Sequence, residues 1–282
     1  MMRLWLGLIF CLVSTVTFAS QYKIERVKDN VYRFTSGHYH SVFMVTEQGA
    51  FVTDPISAEA ALYLKAYIKQ TFDVPIRYLA YSHNHIDHTL GGEHLADSQV
   101  AVLAHEYAAE DLAWTLAPTA MPTQTFMDRT TVKLADSWVE LRYHGPNNGR
   151  GSVSMRFMPA NVMYVVDWIV IGRMPYQDLP GYDIHGMIRS TQEVLALPEF
   201  AVLVGGHANM GTRADVERYL QYLQTLYAAV RDGILAGKSL AQLQQEIKLD
   251  DYRDVAMYEE WLPQNIKGVH DTLMDMSYFN LR

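Results

Sequence analysis

The chain has 282 residues, of which 49% are hydrophobic and 19% are charged, and its formal net charge is −8 at pH 7 with histidine neutral. This composition excludes collagen-like, disulfide-scaffold and wholly disordered proteins. An acidic chain without clusters of lysine and arginine is also not typical of proteins that bind nucleic acid or anionic membranes. The single cysteine allows no intramolecular disulfide, whereas the eleven histidines are placed in an informative way.

The N-terminal segment has the pattern of a secretory signal peptide. A positive charge precedes an apolar run over 4–16, and the predicted cleavage site follows Ala19 or Ser20. The apolar run is short for a helix that crosses a bilayer, and an uncleaved membrane anchor is the alternative interpretation. We therefore expect residues 1–19 to be removed and residues 20–282 to form one domain, exported to the periplasm or secreted and not held at a membrane.

Strands and helices are predicted in the same order in the two halves of the mature chain. Short alternating segments bounded by turn signals predict strands, and apolar residues at helical spacing predict helices. Thr212 and Ser239 are the predicted N-caps of two late helices. The predicted strands are 22–27, 31–35, 42–46, 50–53, 77–81, 99–104, 131–134, 138–143, 152–158, 162–166 and 201–204, and the predicted helices include 57–70, 187–197 and the segment after 212.

The two halves meet at a loop near residue 120 that is rich in proline and threonine. An order of strands, helix, strands and helices that occurs twice predicts an α/β fold. Because helices cover the apolar faces of sheets, we expect the sheets of both halves to lie inside one compact domain and the helices to lie outside.

Three histidines and an aspartate lie within six residues, directly after the predicted strand that ends at Tyr81. Residues two apart in an extended segment point to the same side, so His83 and His85 can converge on one metal ion. Asp87 and His88 lie beyond the bend and can turn toward a second ion. Neutral imidazole and carboxylate suit Zn²⁺, and they also bind iron or manganese. This spacing predicts a metal site rather than a histidine-rich surface loop.

This segment and four others resemble the metallo-β-lactamase superfamily, over nearly all of the mature chain. The other segments are Val52-Thr53-Asp54-Pro55, Gly145-Pro146-Asn147-Asn148-Gly149, Val165-Val166-Asp167 and Gly205-Gly206-His207. The resemblance implies a four-layer αβ/βα sandwich with two mixed sheets inside and helices outside. It also implies the metal ligands, which are His83 and His85 in a first site, Asp87, His88 and His207 in a second site, and Asp167 between them.

The chain departs from the family's pattern at Asn148, where the family usually has histidine. A carboxamide oxygen is a neutral and weak zinc ligand, so we expect the first site to be weak, empty or filled only with substrate present. The second site keeps strong donors and is predicted to hold one Zn²⁺ tightly, with a second zinc bound weakly. His144 could supply the missing imidazole, but strand alternation and its position disfavour this role.

The resemblance implies an exported zinc-dependent hydrolase of a small molecule. A metal-bound water would attack an ester, lactone, thioester or amide-type bond, and Asp87 is the predicted catalytic residue that orients the water and handles its proton. Two other classes stay open. One is a catalytically impaired metal-binding homologue, for which Asn148 is the support, and the other is a metal-dependent oxidoreductase. Arg173 and Tyr176 follow a motif segment; an ordinary loop position is the favoured interpretation for both, and contact with substrate is the alternative.

Overall fold

The computed structural model describes residues 21–277. The predicted signal peptide, residues 1–19, lies outside the described residues, as do Ser20 and residues 278–282. In the described part of the chain, no helix is both long enough and apolar enough to cross a membrane.

Seven strands, hydrogen-bonded in sequence order, form the first sheet. They are β1 (Tyr22–Lys28), β2 (Val31–Ser36), β3 (Tyr39–Thr46), β4 (Gly49–Thr53), β5 (Ile76–Ala80), β6 (Ala101–His105) and β7 (Gln124–Phe126). Neighbours from β1 to β4 pair antiparallel, and neighbours from β4 to β7 pair parallel. The sheet is therefore mixed, and β4, β5 and β6 end at the same edge.

Five strands form the second sheet. They are β8 (Arg129–Leu134), β9 (Ser137–Tyr143), β10 (Val153–Met158), β11 (Val162–Val165) and β12 (Val202–Gly205). Their order in the sheet is β12-β11-β10-β9-β8, and only the β11–β12 pair is parallel. This sheet is also mixed, and the carboxyl ends of β11 and β12 lie side by side.

Eight α-helices complete the described part of the chain. They are α1 (Ala58–Phe72), α2 (Ile86–Thr89), α3 (Gly92–Leu95), α4 (Glu106–Trp114), α5 (Ile184–Ala196), α6 (Arg213–Leu235), α7 (Leu240–Glu246) and α8 (Tyr258–Ser277). Thr212 and Ser239 begin α6 and α7 with capping boxes, in which the side chain of the cap and that of the third helical residue each bond the other's backbone. Both N-caps agree with the sequence prediction.

Three apolar clusters give the molecule its four layers. The middle cluster joins the facing sides of both sheets, for example through Phe51 and Phe157, whose rings meet at 5.8 Å. The second packs α1 on the outer side of the first sheet through Leu64 and Ile68. The third packs α5, α6 and α8 on the outer side of the second sheet. The order helix, sheet, sheet, helix confirms the predicted αβ/βα sandwich with the sheets inside.

Two local features differ from the sequence prediction. Gln124–Phe126, in the segment interpreted as a loop, forms β7 because it pairs in parallel with β6. The metal-ligand segment contains the single-turn helices α2 and α3. Both are short elements that depend on contacts with distant parts of the chain, which local residue patterns do not report.

Candidate metal centre

The predicted ligands lie where parallel strands end. Asp54 follows β4, and the segment that begins at Ser82 follows β5, so both reach the same edge of the first sheet. Asp167 and His207 follow β11 and β12 at the corresponding edge of the second sheet. The carboxyl ends of parallel strands are a usual place for binding sites, because the loops that follow the strands converge there.

The first group of candidate ligands consists of His83, His85 and Asp167. One ligand atom of each residue lies within 4.8 Å of the others. Asp167 Oδ2 is 3.2 Å from His83 Nε2 and 3.8 Å from His85 Nδ1. The two histidines that the strand alternation predicted to converge therefore face one oxygen of the same carboxylate.

The second group consists of Asp87, His88 and His207. The Nε2 atoms of His88 and His207 are 3.2 Å apart, and Asp87 Oδ2 lies 3.6 Å and 3.8 Å from them, respectively. The other oxygen of Asp167, Oδ1, is 3.0 Å from His207 Nε2 and 3.5 Å from His88 Nε2. Asp167 thus directs one oxygen to each group and lies between them.

Asn148 is fully buried beside the first group. Its Nδ2 donates a hydrogen bond of 2.8 Å to Asp167 Oδ2, and its Oδ1 has no hydrogen-bond partner in the described residues. His144 lies elsewhere, with its ring nitrogens bonded to Glu193 at 3.1 Å and to Ser154 at 2.8 Å. The position where the family has a third histidine is therefore taken by an amide that contacts the shared carboxylate.

The donor atoms of the two groups fit a divalent cation. His83 Nε2, Asn148 Oδ1 and Asp167 Oδ1 are buried atoms without a hydrogen-bond partner in the part of the chain that the structure describes. Buried polar atoms are normally satisfied, so orphaned ones among the candidate ligands and beside them indicate a missing ligand. Imidazole nitrogens and carboxylate oxygens at this spacing suit Zn²⁺ and related transition metals.

A second layer of contacts orients the ligands. Asp54 Oδ1 accepts a hydrogen bond from the Ser82 backbone at 2.8 Å, and its Oδ2 accepts one from the Tyr164 hydroxyl at 2.8 Å. The same Oδ2 lies 3.9 Å from His88 Nδ1, on the side of the ring opposite the second group. Asp54 therefore supports the histidine segment and leaves His88 Nε2 free to face the centre.

The electrostatics of the centre follow from these contacts. Burial raises the pKa of Asp167, but the charge of His88 and the nearby imidazoles of His207 and His83 outweigh it and hold this pKa well below its usual value. Burial lowers the pKa of His88, but Asp167 and the other nearby carboxylates raise it to about 9. A cation that binds the second group must therefore displace a proton from His88.

Several residues around the centre have a backbone conformation that side chains disfavour. Asp167 has a φ of 67°, Ala208 beside His207 has a φ of 72°, and Ile56 after Asp54 has a φ of 73°. This region is strained for residues other than glycine, and for a β-branched residue most of all. Such conformations persist where the surrounding structure fixes them, as it does at functional sites.

A cavity of about 600 Å³ opens beside both groups. Asp87, Asp167 and His207 reach it, and its remaining wall is largely aromatic, formed in part by Tyr39, Tyr176, Tyr182 and Trp261 together with Arg173. The sequence interpretation favoured ordinary loop positions for Arg173 and Tyr176, with contact to substrate as the alternative, and it did not identify Tyr182 or Trp261. Tyr39 lies beside a histidine-containing turn, but Trp261 lies on α8 and no local pattern relates it to the ligands.

The chain matches a known family model and is similar in sequence to a known protein. The model of the metallo-beta-lactamase superfamily matches residues 35–207, a range that contains both groups. Over 238 residues, the chain is 25% identical to 2,4-dinitroanisole O-demethylase subunit alpha of Nocardioides sp. (strain JS1661), a match that covers 83% of this chain and 69% of that protein.

Solved structures share the same fold. A metallo-beta-lactamase from Pontibacter korlensis aligns with a TM-score of 0.65 and 20% identity, over 72% of this chain and 99% of that one. A metallo-beta-lactamase from Erythrobacter litoralis aligns with a TM-score of 0.64 and 17% identity, over 73% and 97%. Helices α6, α7 and α8 lie after the range that the superfamily model matches.

Proposed function

The chain belongs to the metallo-beta-lactamase superfamily, and from this premise we propose that it is an exported zinc-dependent hydrolase of a small molecule. The bond that it cleaves belongs to the ester, lactone, thioester or amide type. The observation that carries the proposal is the position of Asp167, which faces two groups of imidazole and carboxylate ligands at the edge of a cavity large enough for a small substrate.

The residues divide the work of binding. In this proposal His83 and His85 hold a cation in the first group, while Asp87, His88 and His207 hold one in the second. Asp167 contributes an oxygen to each, and the Asn148 amide is a weak donor at the first group. A divalent cation held there supplies Lewis-acid activation of water and of the scissile carbonyl.

Asp87 is the residue proposed to move the proton. Its side chain is 39% exposed and lines the cavity, whereas Asp167 is only 6% exposed. Asp87 can therefore accept a hydrogen bond from a water that approaches the substrate and take its proton. His88 and His207 limit the movement of this carboxylate, because both ring nitrogens lie within 3.8 Å of Asp87 Oδ2.

Metal analysis and a substrate screen test the proposal. We expect the purified protein to carry about one tightly bound zinc, and we expect a chelator to remove turnover of an ester, lactone, thioester or β-lactam probe. Asp87→Asn should lose turnover, whereas Asp232→Asn on the exposed surface of α6 should not. Full turnover and full zinc content in Asp87→Asn would overturn the role of Asp87. N-terminal sequencing of exported protein should begin at Ser20 or Gln21.

A metal-binding homologue with impaired catalysis is the second candidate, and the contact of Asn148 favours it. The Asn148 amide occupies the oxygen of Asp167 that faces the first group. This candidate predicts bound zinc without turnover of any probe in the screen. The screen includes aryl methyl ethers, because the Nocardioides relative is named for O-demethylation of 2,4-dinitroanisole.

A further inference from the structure

Arg173 is a half-buried cation that the chain itself does not neutralise. It lines the same cavity as Asp87 and Asp167, but among the described residues it forms no salt bridge, and its Nε atom is buried without a hydrogen-bond partner. Arg150 and Arg218, in contrast, pair with carboxylates at 2.6–2.7 Å. A cation taken partly out of water without a partner destabilises the protein unless a ligand completes it.

The position of Arg173 is fixed by the C-terminal part of the chain. Its Cζ atom lies 5.1 Å from the centre of the Trp261 ring, and the ring of Tyr176 meets that ring edge-on at 5.4 Å. The backbone of Arg173 pairs with Ala256, next to α8. A guanidinium stacked on an aromatic face keeps its N–H groups in one plane and available to a ligand beside the ring.

Aromatic side chains continue around the cavity toward the metal ligands. The ring of Tyr39 meets the ring of His207 edge-on at 5.1 Å, and Tyr182 lines the cavity from the segment whose backbone pairs with Asn148. These rings add aromatic surface to the cavity that also holds the guanidinium and the candidate ligands. A planar ring is the ligand shape that such walls bind best, because rings stack or meet edge-on at little conformational cost.

We propose that Arg173 and Trp261 form a subsite that selects substrates with an aromatic ring bearing a planar pair of oxygen acceptors. A carboxylate presents such a pair of oxygens with a negative charge, and a nitro group presents the same pair without a net charge. The in-plane N–H groups of arginine match two parallel oxygens, which a single ammonium does not. The inference rests on the proposed function, in that it names the substrate class for the same cavity. Arg173 binds the substituent, and Trp261 is a positioning residue.

Binding of small probes to the zinc-loaded protein tests the subsite by calorimetry. Benzoate carries ring and carboxylate, benzamide is its neutral analogue, nitrobenzene is the isostere, and acetate has the charge without the ring. We expect benzoate to bind wild type about tenfold tighter than benzamide, because a charge-assisted pair is stronger than a neutral hydrogen bond, and about tenfold tighter than acetate, because acetate lacks the ring that packs against the aromatic wall. Arg173→Met should remove this preference. Arg129→Met, on the exposed surface of β8, should keep it.

The probes distinguish three explanations of binding: a carboxylate held only by the metal, a subsite for carboxylates, and a subsite that also accepts nitroarenes. A carboxylate that binds only to the metal would give equal affinities for acetate and benzoate, both unaffected by Arg173→Met, and this result would overturn the subsite. A loss for benzoate alone supports a carboxylate subsite, and a parallel loss for nitrobenzene extends the support to nitroarenes. Arg173→Lys, which keeps the charge but not the planar fork, should retain part of the preference and serves if Arg173→Met does not fold.

The experiment also separates this inference from the proposed function. Binding of benzoate that depends on Arg173, without zinc-dependent turnover of any probe, would leave the subsite standing and overturn the hydrolase. Turnover with the same KM for carboxylate-bearing and neutral aryl esters, in wild type and in Arg173→Met, would support the hydrolase and overturn the subsite. A thermal unfolding curve for each variant tests the alternative in which Arg173 only stabilises the packing of α8, because that role would lower the melting temperature without changing the preference for benzoate.

Discussion

The two groups of candidate ligands share Asp167 but are completed in different ways. In the first group, the neutral amide of Asn148 donates a hydrogen bond to the shared carboxylate. Beside the shared Asp167, the first group has two imidazoles, whereas the second group has two imidazoles and the Asp87 carboxylate, with Asp54 behind His88. Metal affinity depends on the number of strong donors and on the contacts that orient them. The comparison predicts that Asn148 in place of histidine weakens metal binding at the first group and leaves the second group intact.

Removing an imidazole from each group gives the largest expected difference. We predict that His207→Ala weakens zinc binding by about 100-fold or more, because a direct ligand contributes more than the 10–100-fold of an orienting contact. His85→Ala should change the affinity of the tight site by much less. Zinc competition with a chromophoric chelator measures both. Equal losses of zinc affinity in the two variants would contradict the difference between the groups, since both groups would then hold zinc equally well.

Restoring an imidazole to the first group should make the two groups alike. We predict that Asn148→His raises zinc content from about one to about two per chain, with an affinity gain at the first group of roughly 100-fold, because a strong nitrogen donor replaces a weak amide. Turnover should rise with it. Asn148→Ala is the matched control, because it removes the contact with Asp167 without adding a donor. Unchanged zinc content in Asn148→His would show that the substitution is not what weakens the first group.

Weakening the support of the second group should have a smaller effect. Asp54→Asn keeps the volume of the side chain but removes the charge behind His88, and we predict a loss of about tenfold in zinc affinity. Tyr164→Phe removes the hydrogen bond to Asp54 and keeps that charge, so it should cost less affinity. Equilibrium zinc titration of the two variants makes the comparison. An affinity in Asp54→Asn equal to that of wild type would mean that Asp54 supports only the fold.

The smallest effect concerns the pH dependence of stability beside His207. Burial, with the charges of Arg33 and His207, lowers the pKa of His40 to about 4. An unfolded histidine titrates near 6.5, so the unfolded state takes up this proton first as the pH falls. The stability that neutral His40 contributes is complete above about pH 6.5 and is lost as the pH falls toward 4.

We therefore predict that His40→Gln makes the decline in unfolding free energy between pH 7 and pH 4.5 shallower by about 1–2 kcal/mol, after discounting for solvent near the ring. Urea unfolding at a series of pH values measures this slope. His94→Gln, at a more exposed histidine, should leave the slope unchanged. A slope in His40→Gln equal to that of wild type would contradict the assignment of this pH dependence to His40.

The parts of the centre that sequence analysis identified are those with a local pattern. His83, His85, Asp87 and His88 follow one strand within six residues, whereas Asp167 and His207 were implied by the resemblance to the family. The alternation of a strand and the position of a turn predict the direction of such side chains. The same reasoning predicted the two sheets and their helices, because apolar periodicity reports which face of an element is buried.

The wall of the cavity had no such pattern. Trp261 and Arg173 are far apart in sequence, and their contact depends on where α8 packs against the second sheet. A tryptophan among apolar residues of a helix predicts core packing equally well. The contact between Asn148 and Asp167 was also not predicted, because it depends on a side-chain hydrogen bond across two loops. Tertiary placement, not residue type, decides these features.

The single carboxylate between the two groups has a consequence for how they fill. Asp167 directs one oxygen to each group, so a cation bound at either oxygen would change the negative charge and the orientation that the other group meets. Occupancies of the two groups are then thermodynamically linked, and the factor by which the first ion alters binding of the second equals the factor in the reverse order. Asn148 takes part in this linkage, because its hydrogen bond to Asp167 Oδ2 would compete with an ion at the first group for the same oxygen.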